Sequence, residues 1–99
     1  MRIERRRTTR RDVDMLVEPK SVSDGSSLRA TCLSIDGMRL DGQLPVAPGS
    51  VVKMALHVPD MGRPLRVRGL VIDAGKATRV AFMGLTTRKR VRLAEYLFG

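Results

Sequence analysis

The sequence predicts an all-β domain that ends in one α-helix. Six short segments in which apolar and polar residues alternate are separated by turns rich in Gly, Pro and Asp. Near residue 86 the alternation stops, and apolar residues then recur at close to helical spacing. Short strands divided by such turns are typical of an antiparallel barrel or sandwich. A chain of 99 residues is long enough for one domain with a modest core.

The first strand follows an arginine-rich segment and ends at Pro19, because Val13, Met15 and Val17 alternate with more polar neighbours. A connector follows, with Gly25 as its expected turn residue. The other five strands are predicted by the same alternation at residues 28–34, 38–40, 51–58, 65–72 and 78–85.

The second strand is predicted to present two different faces. One face would carry Leu28, Ala30, Cys32 and Ser34, and the other would carry Arg29, Thr31, Leu33 and Ile35. A hairpin turn is expected at Ile35-Asp36-Gly37, because Asp-Gly between two apolar alternations is a strong hairpin signal.

The closing helix is predicted at residues 88–97, with Thr86 or Thr87 as its cap. Its apolar side would pack over an open mouth or edge of the β structure. Arg88 and Lys89 stand near its start, where positive charge opposes the helix dipole.

Composition excludes several classes of protein. Cys32 is the only cysteine and His57 the only histidine, so neither an internal disulfide nor a zinc site is expected. We expect no membrane span, since no apolar run approaches the length of about 20 residues that one requires. The apolar region of a secretion signal is also missing from the first residues, which favours a cytoplasmic location. No acid–base or nucleophile–base pair can be assembled, so the protein is not expected to be an enzyme.

Positive charge is concentrated at the two ends of the chain. The net charge is +9, and residues 1–11 contain six arginines with Glu4 as their only acid. The guanidinium group binds phosphate in bidentate fashion and stacks on aromatic bases, so this segment predicts a phosphate-bearing ligand. A solvated basic tail is the alternative. With only three aromatic residues in the chain, a single-stranded nucleic acid partner is not favoured.

Two separated motifs resemble those of PilZ domains. The first is RxxxR, read as Arg6 to Arg10, although Arg7 to Arg11 also fits the spacing. Arg6 to Arg10 is preferred because these domains usually have an alternating strand directly after the second arginine, and residues 11–15 supply it. The second is a [D/N]xSxxG element, read as Cys32-Leu33-Ser34-Ile35-Asp36-Gly37, and residues 37–40 and 79–85 extend the likeness. The resemblance covers nearly the whole chain. It implies a six-stranded antiparallel β-barrel with a C-terminal helix at residues 12–99, preceded by a flexible segment at residues 1–11.

The same resemblance implies that the domain binds the bacterial second messenger cyclic di-GMP without any cofactor or metal. Arg6 and Arg10 would hold phosphate and guanine, Ser34 would supply a surface hydroxyl, and Gly37 would form the turn. The implied ligand-binding residues are Arg6, Arg7, Arg10, Cys32, Ser34 and Gly37. Cys32 departs from the family's Asp or Asn, and a thiol is a weak hydrogen-bonding group. The loss of one such bond would weaken binding by about tenfold to a hundredfold.

The leading functional hypothesis is therefore a cyclic di-GMP receptor that relays its occupancy to an unidentified protein partner. The alternative is a degenerate PilZ domain that does not bind the dinucleotide and acts as a protein–protein interaction module. A nucleic-acid-binding barrel ranks third.

Overall fold

The structure is a computed structural model that describes residues 10–20, 27–42 and 44–98. The elements in this part of the chain are β1 (Arg11–Pro19), β2 (Leu28–Leu33), β3 (Gly37–Asp41), β4 (Val51–Leu56), β5 (Leu65–Ala74), β6 (Ala77–Met83) and α1 (Thr87–Phe98). The strands form a closed antiparallel barrel in the order β1-β2-β3-β6-β5-β4. The predicted six-stranded barrel with a C-terminal helix is confirmed. Gly25 lies outside the described residues.

Alternation along the strands fills the barrel with apolar side chains. In β1, for example, Met15 and Val17 are buried while Asp12 and Asp14 are exposed. The largest fully buried side chains come from all six strands and from the helix: Met15, Val17, Leu33, Leu40, Val52, Met54, Leu56, Val71, Thr78 and Leu93. The barrel and α1 therefore share a single core.

Helix α1 begins at Thr87, one residue before the predicted start. The side-chain oxygen of Thr86 accepts a hydrogen bond from the backbone N–H of Lys89 at 3.2 Å, so Thr86 is the N-cap. Leu93 and Leu97 are buried against the barrel. Lys89, whose charge opposes the helix dipole, donates from Nζ to the carbonyl oxygen of Arg66 in β5 at 2.6 Å, which joins the start of the helix to the sheet.

The predicted faces of β2 are wrong beyond Ala30. Ala30 pairs with Leu40 of β3, but Cys32 pairs with Arg39, so Thr31 is an extra residue in the ladder. Such a β-bulge reverses the alternation that follows it. As a result Leu33 is fully buried in the core and Cys32 is only half-buried.

Candidate ligand-binding cleft

A cleft of about 1030 Å³ lies on the outside of the barrel, where β1, β2, β3, β6 and β5 run side by side. Four residues that the sequence motifs predict line it: Arg10, Cys32, Ser34 and Gly37. Arg6 and Arg7 lie outside the described residues. The barrel thus places the second arginine of RxxxR in the same cleft as the complete CxSxxG turn, although the two are more than 20 positions apart in sequence.

Ser34 holds the turn between β2 and β3. Its side-chain oxygen accepts hydrogen bonds from the backbone N–H groups of Asp36 and Gly37, both at 3.2 Å. The backbone N–H of Ser34 donates to the carbonyl oxygen of Gly37 at 2.9 Å. Only 8% of Ser34 is exposed, so the expectation of a surface hydroxyl is wrong. The hydroxyl is used inside the turn, and its effect on the cleft is to fix the turn's shape.

Gly37 is required by close packing between strands. Its φ is not in the left-handed region, so a turn conformation does not demand glycine there. A Cβ at this position would lie 2.3 Å from the carbonyl oxygen of Val80 in β6. The expected turn glycine is therefore a packing glycine, which lets β3 and β6 approach at the edge of the cleft.

Five outward-facing positions form a continuous row across the cleft, one on each of five neighbouring strands. Cross-strand pairing joins them in the order Asp12, Cys32, Arg39, Arg79 and Asp73. Four spacings of about 4.8 Å make the row about 19 Å long. Carboxylates stand at its ends, the thiol is second, and two guanidinium groups lie at its centre. We call these residues the charged row.

Arg39, Arg79 and Asp73 were not among the site residues predicted from the sequence. The outward positions of Arg39 and Arg79 were readable from the alternation, whereas Asp73 lies beyond the predicted strand and is turned outward by the register shift after Val71. The proximity of all three depends on the pairing of β3 with β6 and of β6 with β5. Lys76, in the turn before β6, also lines the cleft and was missed.

Three register shifts occur beside the charged row. They lie between Asp12 and Met15 in β1, between Ala30 and Cys32 in β2, and between Val71 and Asp73 in β5. A bulge bends its strand and redirects a side chain, and bulges are over-represented next to functional sites. Here each shift adjoins a residue of the row, so the sheet bends along the line on which these polar groups stand.

Helix α1 contacts the segments that carry both motifs. Arg11, which follows Arg10, donates from Nη1 to the carbonyl oxygen of Tyr96 at 2.6 Å, and its guanidinium lies 5.0 Å from the centre of the Tyr96 ring. This geometry allows a cation–π interaction. Asp36 of the turn lies 4.0 Å from Nη1 of Arg90, an exposed pair that adds little stability.

His57 lies away from the cleft, just after β4, where it contacts the carboxylate of Glu18 in β1. The hydrogen bond from His57, with a smaller contribution from the charge of Lys20, lowers the pKa of Glu18. The contact between His57 and Glu18 was not predicted from the sequence.

Among the described ranges, no three His, Cys, Asp or Glu residues are grouped as a metal site would require. In the same ranges, no helix has the length and apolar character needed to cross a bilayer.

A family model described as the PilZ domain matches residues 4–99. The chain belongs to the PilZ domain family. The matched range includes the arginine-rich segment, the CxSxxG turn and α1, so the resemblance inferred from the motifs is confirmed. No curated protein matches the chain.

Solved PilZ proteins share the fold at low sequence identity. The Bacillus subtilis inhibitor of motility MotI/DgrA is 17% identical with a TM-score of 0.76, and the match covers 97% of this chain and 50% of that one. YcgR from Escherichia coli, solved in complex with c-di-GMP, is 15% identical with a TM-score of 0.77, and the match covers 97% of this chain and 46% of YcgR. The PilZ domain of CeSA from a cellulose-synthesizing bacterium is 18% identical with a TM-score of 0.68, covering 92% and 96%. The chain thus spans about half the length of the first two proteins and nearly all of the third.

Proposed function

We propose that this PilZ domain is a bacterial, cytoplasmic receptor for cyclic di-GMP. The observation that carries the proposal is the shared cleft of Arg10, Cys32 and the Ser34–Gly37 turn. A ligand with two phosphates and two guanines offers phosphate oxygens, the O6/N7 edge of guanine and base faces, which are the groups that arginine binds. Support also comes from the structural similarity to YcgR, a protein solved with this dinucleotide.

In this proposal Arg10 binds a phosphate or a guanine edge from the side of β1. Residues 1–11 contribute Arg6 and Arg7 to the same ligand, so that the arginine-rich segment and the barrel enclose it together. The Ser34–Gly37 turn shapes the opposite wall. The domain performs no chemistry on the dinucleotide and acts as a sensor.

Cys32 sets the strength of binding in this proposal. Its half-buried thiol lies in the cleft where the family has Asp or Asn, and it pairs across the strands with Asp12. A thiol forms weaker hydrogen bonds to a base edge than an amide or a carboxylate does. We expect binding that is weaker than a full motif would give.

We further propose that α1 relays occupancy to a protein partner. Arg11 contacts Tyr96, and Asp36 lies near Arg90, so each motif has a neighbour on the helix. Arg10 lines the cleft just before β1, and Arg11, the first residue of β1, contacts the helix. A ligand that fixes Arg10 in the cleft therefore also restrains Arg11 against the helix.

The test is a calorimetric titration of cyclic di-GMP into the protein at moderate salt, with GTP as the control ligand. We expect saturable binding that Arg10→Ala abolishes. Arg68→Ala is the matched control, because it removes an arginine from an exposed strand position outside the cleft. Absence of heat at high ligand concentration would reject the receptor hypothesis and favour the alternative, a protein–protein interaction module. Binding that weakens steeply with salt, whichever arginine is removed, would indicate a nucleic acid binder.

A further inference from the structure

Two arginines face each other at the centre of the charged row. Arg39 of β3 pairs directly with Arg79 of β6, and both are exposed in the cleft. Opposed residues of an antiparallel pair have Cβ atoms about 4.5–5.5 Å apart, and like charges in this relation destabilise the sheet. The protein therefore keeps an unfavourable pair in the middle of this cleft.

No carboxylate neutralises this pair within residues 10–20, 27–42 and 44–98. The salt bridges formed there involve other residues. Asp73 is the cross-strand neighbour of Arg79, but its Oδ1 accepts a hydrogen bond from the backbone N–H of Gly75 at 3.2 Å. In these ranges, no salt bridge takes up the donors of either guanidinium group.

Other basic groups surround the pair. Arg10 and Lys76 line the same cleft, so its basic side chains outnumber the carboxylates of Asp12, Asp36 and Asp73. In the charged row the carboxylates stand at the two ends, so the two guanidinium groups lie side by side between them. A group with two or more anionic oxygens, placed between Arg39 and Arg79, would satisfy both guanidinium forks and remove their repulsion.

We propose that Arg39 and Arg79 form a phosphate-binding subsite, separate from the arginines of RxxxR. The identity of its ligand rests on the proposed function: the subsite receives one phosphate of the cyclic dinucleotide while Arg10 approaches from β1. Neither RxxxR nor CxSxxG contains these arginines, although each lies in a segment that extends the family resemblance, and only the register of β3 against β6 brings them together.

Calorimetry with cyclic di-GMP tests the subsite on the wild type, Arg39→Ala, Arg79→Ala and the double variant. Each single variant should weaken binding by about tenfold to a hundredfold, because each removes charge-assisted hydrogen bonds to phosphate. The control is again Arg68→Ala. Arg68 also stands opposite a basic residue, Lys53, but this pair lies outside the cleft. Substitution of Arg68 by alanine should therefore leave the affinity for cyclic di-GMP unchanged.

The ligand-free variants provide a check on folding. Since the substitutions remove a like-charge pair at exposed positions, the melting temperatures of Arg39→Ala and Arg79→Ala should not fall below that of the wild type. Unchanged dinucleotide affinity in both variants, with the wild type binding, would overturn the subsite and leave the proposed function intact.

A second probe separates the two proposals. Inorganic phosphate is titrated while the Nε–Hε signals of Arg39 and Arg79 are followed by NMR. If the wild type does not bind cyclic di-GMP, the proposed function fails. A saturable phosphate response of these two signals, lost in the double variant, would then still support the subsite. No response to either phosphate or the dinucleotide would overturn it.

Discussion

Substitution of Gly37 by alanine tests whether the last residue of the CxSxxG motif serves the barrel itself. The added Cβ would lie 2.3 Å from the carbonyl oxygen of Val80, and 3.3 Å from the Cα of Ala81. Real Cβ atoms essentially never approach within 3.0 Å, so the two strands must separate by at least several tenths of an ångström. Val80 is 3% exposed, and the shift would reach the core.

The expected cost follows from this clash. Forcing an extra carbon into a packed site costs about 1–3 kcal/mol. Replacement of glycine by alanine otherwise reduces the entropy of the unfolded chain, which favours the folded state by about 0.4–1 kcal/mol at a compatible site. We expect the clash to dominate at Gly37, because the opposing atom belongs to the backbone. The free energy of unfolding should fall by about 1–3 kcal/mol, and the melting temperature should fall by about 4–8 °C for each kcal/mol.

Urea and thermal unfolding of the ligand-free protein measure this change. The matched control is Gly75→Ala, where the nearest atom to an added Cβ is Asp73 Oδ1 at 3.6 Å, and φ lies outside the left-handed region. This variant should be as stable as the wild type or slightly more stable. If Gly37→Ala proved as stable as Gly75→Ala, the packing role would be refuted, and the glycine would have to be explained by ligand contact alone.

Three further predictions concern the core, the site and the response to acid. Leu93→Ala should lower the free energy of unfolding by about 2–5 kcal/mol in urea titrations, because a fully buried leucine is lost from the junction of α1 and the barrel; a loss below 1 kcal/mol would contradict this packing. Cys32→Asn should raise the affinity for cyclic di-GMP by about tenfold to a hundredfold in calorimetry. Cys32→Asp should raise the affinity less, because it would place a second carboxylate opposite Asp12. Weaker binding by the Asn variant would reject the motif alignment. The contact with His57 lowers the pKa of Glu18, so it stabilises the fold above the ordinary carboxyl pKa of about 4.3. This stabilisation is lost as the pH falls below that value. The melting temperatures of wild type and Glu18→Gln should therefore differ at neutral pH and converge in acid, and a constant difference would refute this linkage.

Local patterns were sufficient to predict the elements of the fold. Alternation located the strands because each has one buried and one solvated face, and Thr86 marked the start of α1 because its hydroxyl satisfies a free N–H group. The faces of β2 could not be predicted in full. The bulge at Thr31 arises from pairing with β3 and leaves no signature in the alternation that precedes it.

The site was predictable only where its residues belong to one of the two sequence motifs. Ser34 and Gly37 were identified through their motif, yet both residues serve the barrel itself. The side chain of Ser34 accepts hydrogen bonds within the turn, and the missing side chain of Gly37 leaves room for the backbone of β6. The pairing of Arg39 with Arg79 joins residues 40 positions apart, and it depends on a strand order in which β3 lies next to β6. Such long-range register is set by the whole core, so no single segment encodes it.

The closure of the barrel between β1 and β4 has a consequence for its native-state fluctuations. Within the described residues three ladder pairs join these strands, and one of them involves Pro19, which has no N–H to donate, whereas six pairs join β4 to β5. Two backbone hydrogen bonds flank the three pairs, from Lys20 to Lys53 and from His57 to Leu16. Proteins open locally where few backbone hydrogen bonds must break together. We expect the amide protons along this seam to exchange with solvent at a lower opening free energy than those of β5 and β6. The contact of Glu18 with His57 spans the seam, so acid should lower that opening free energy before it unfolds the domain.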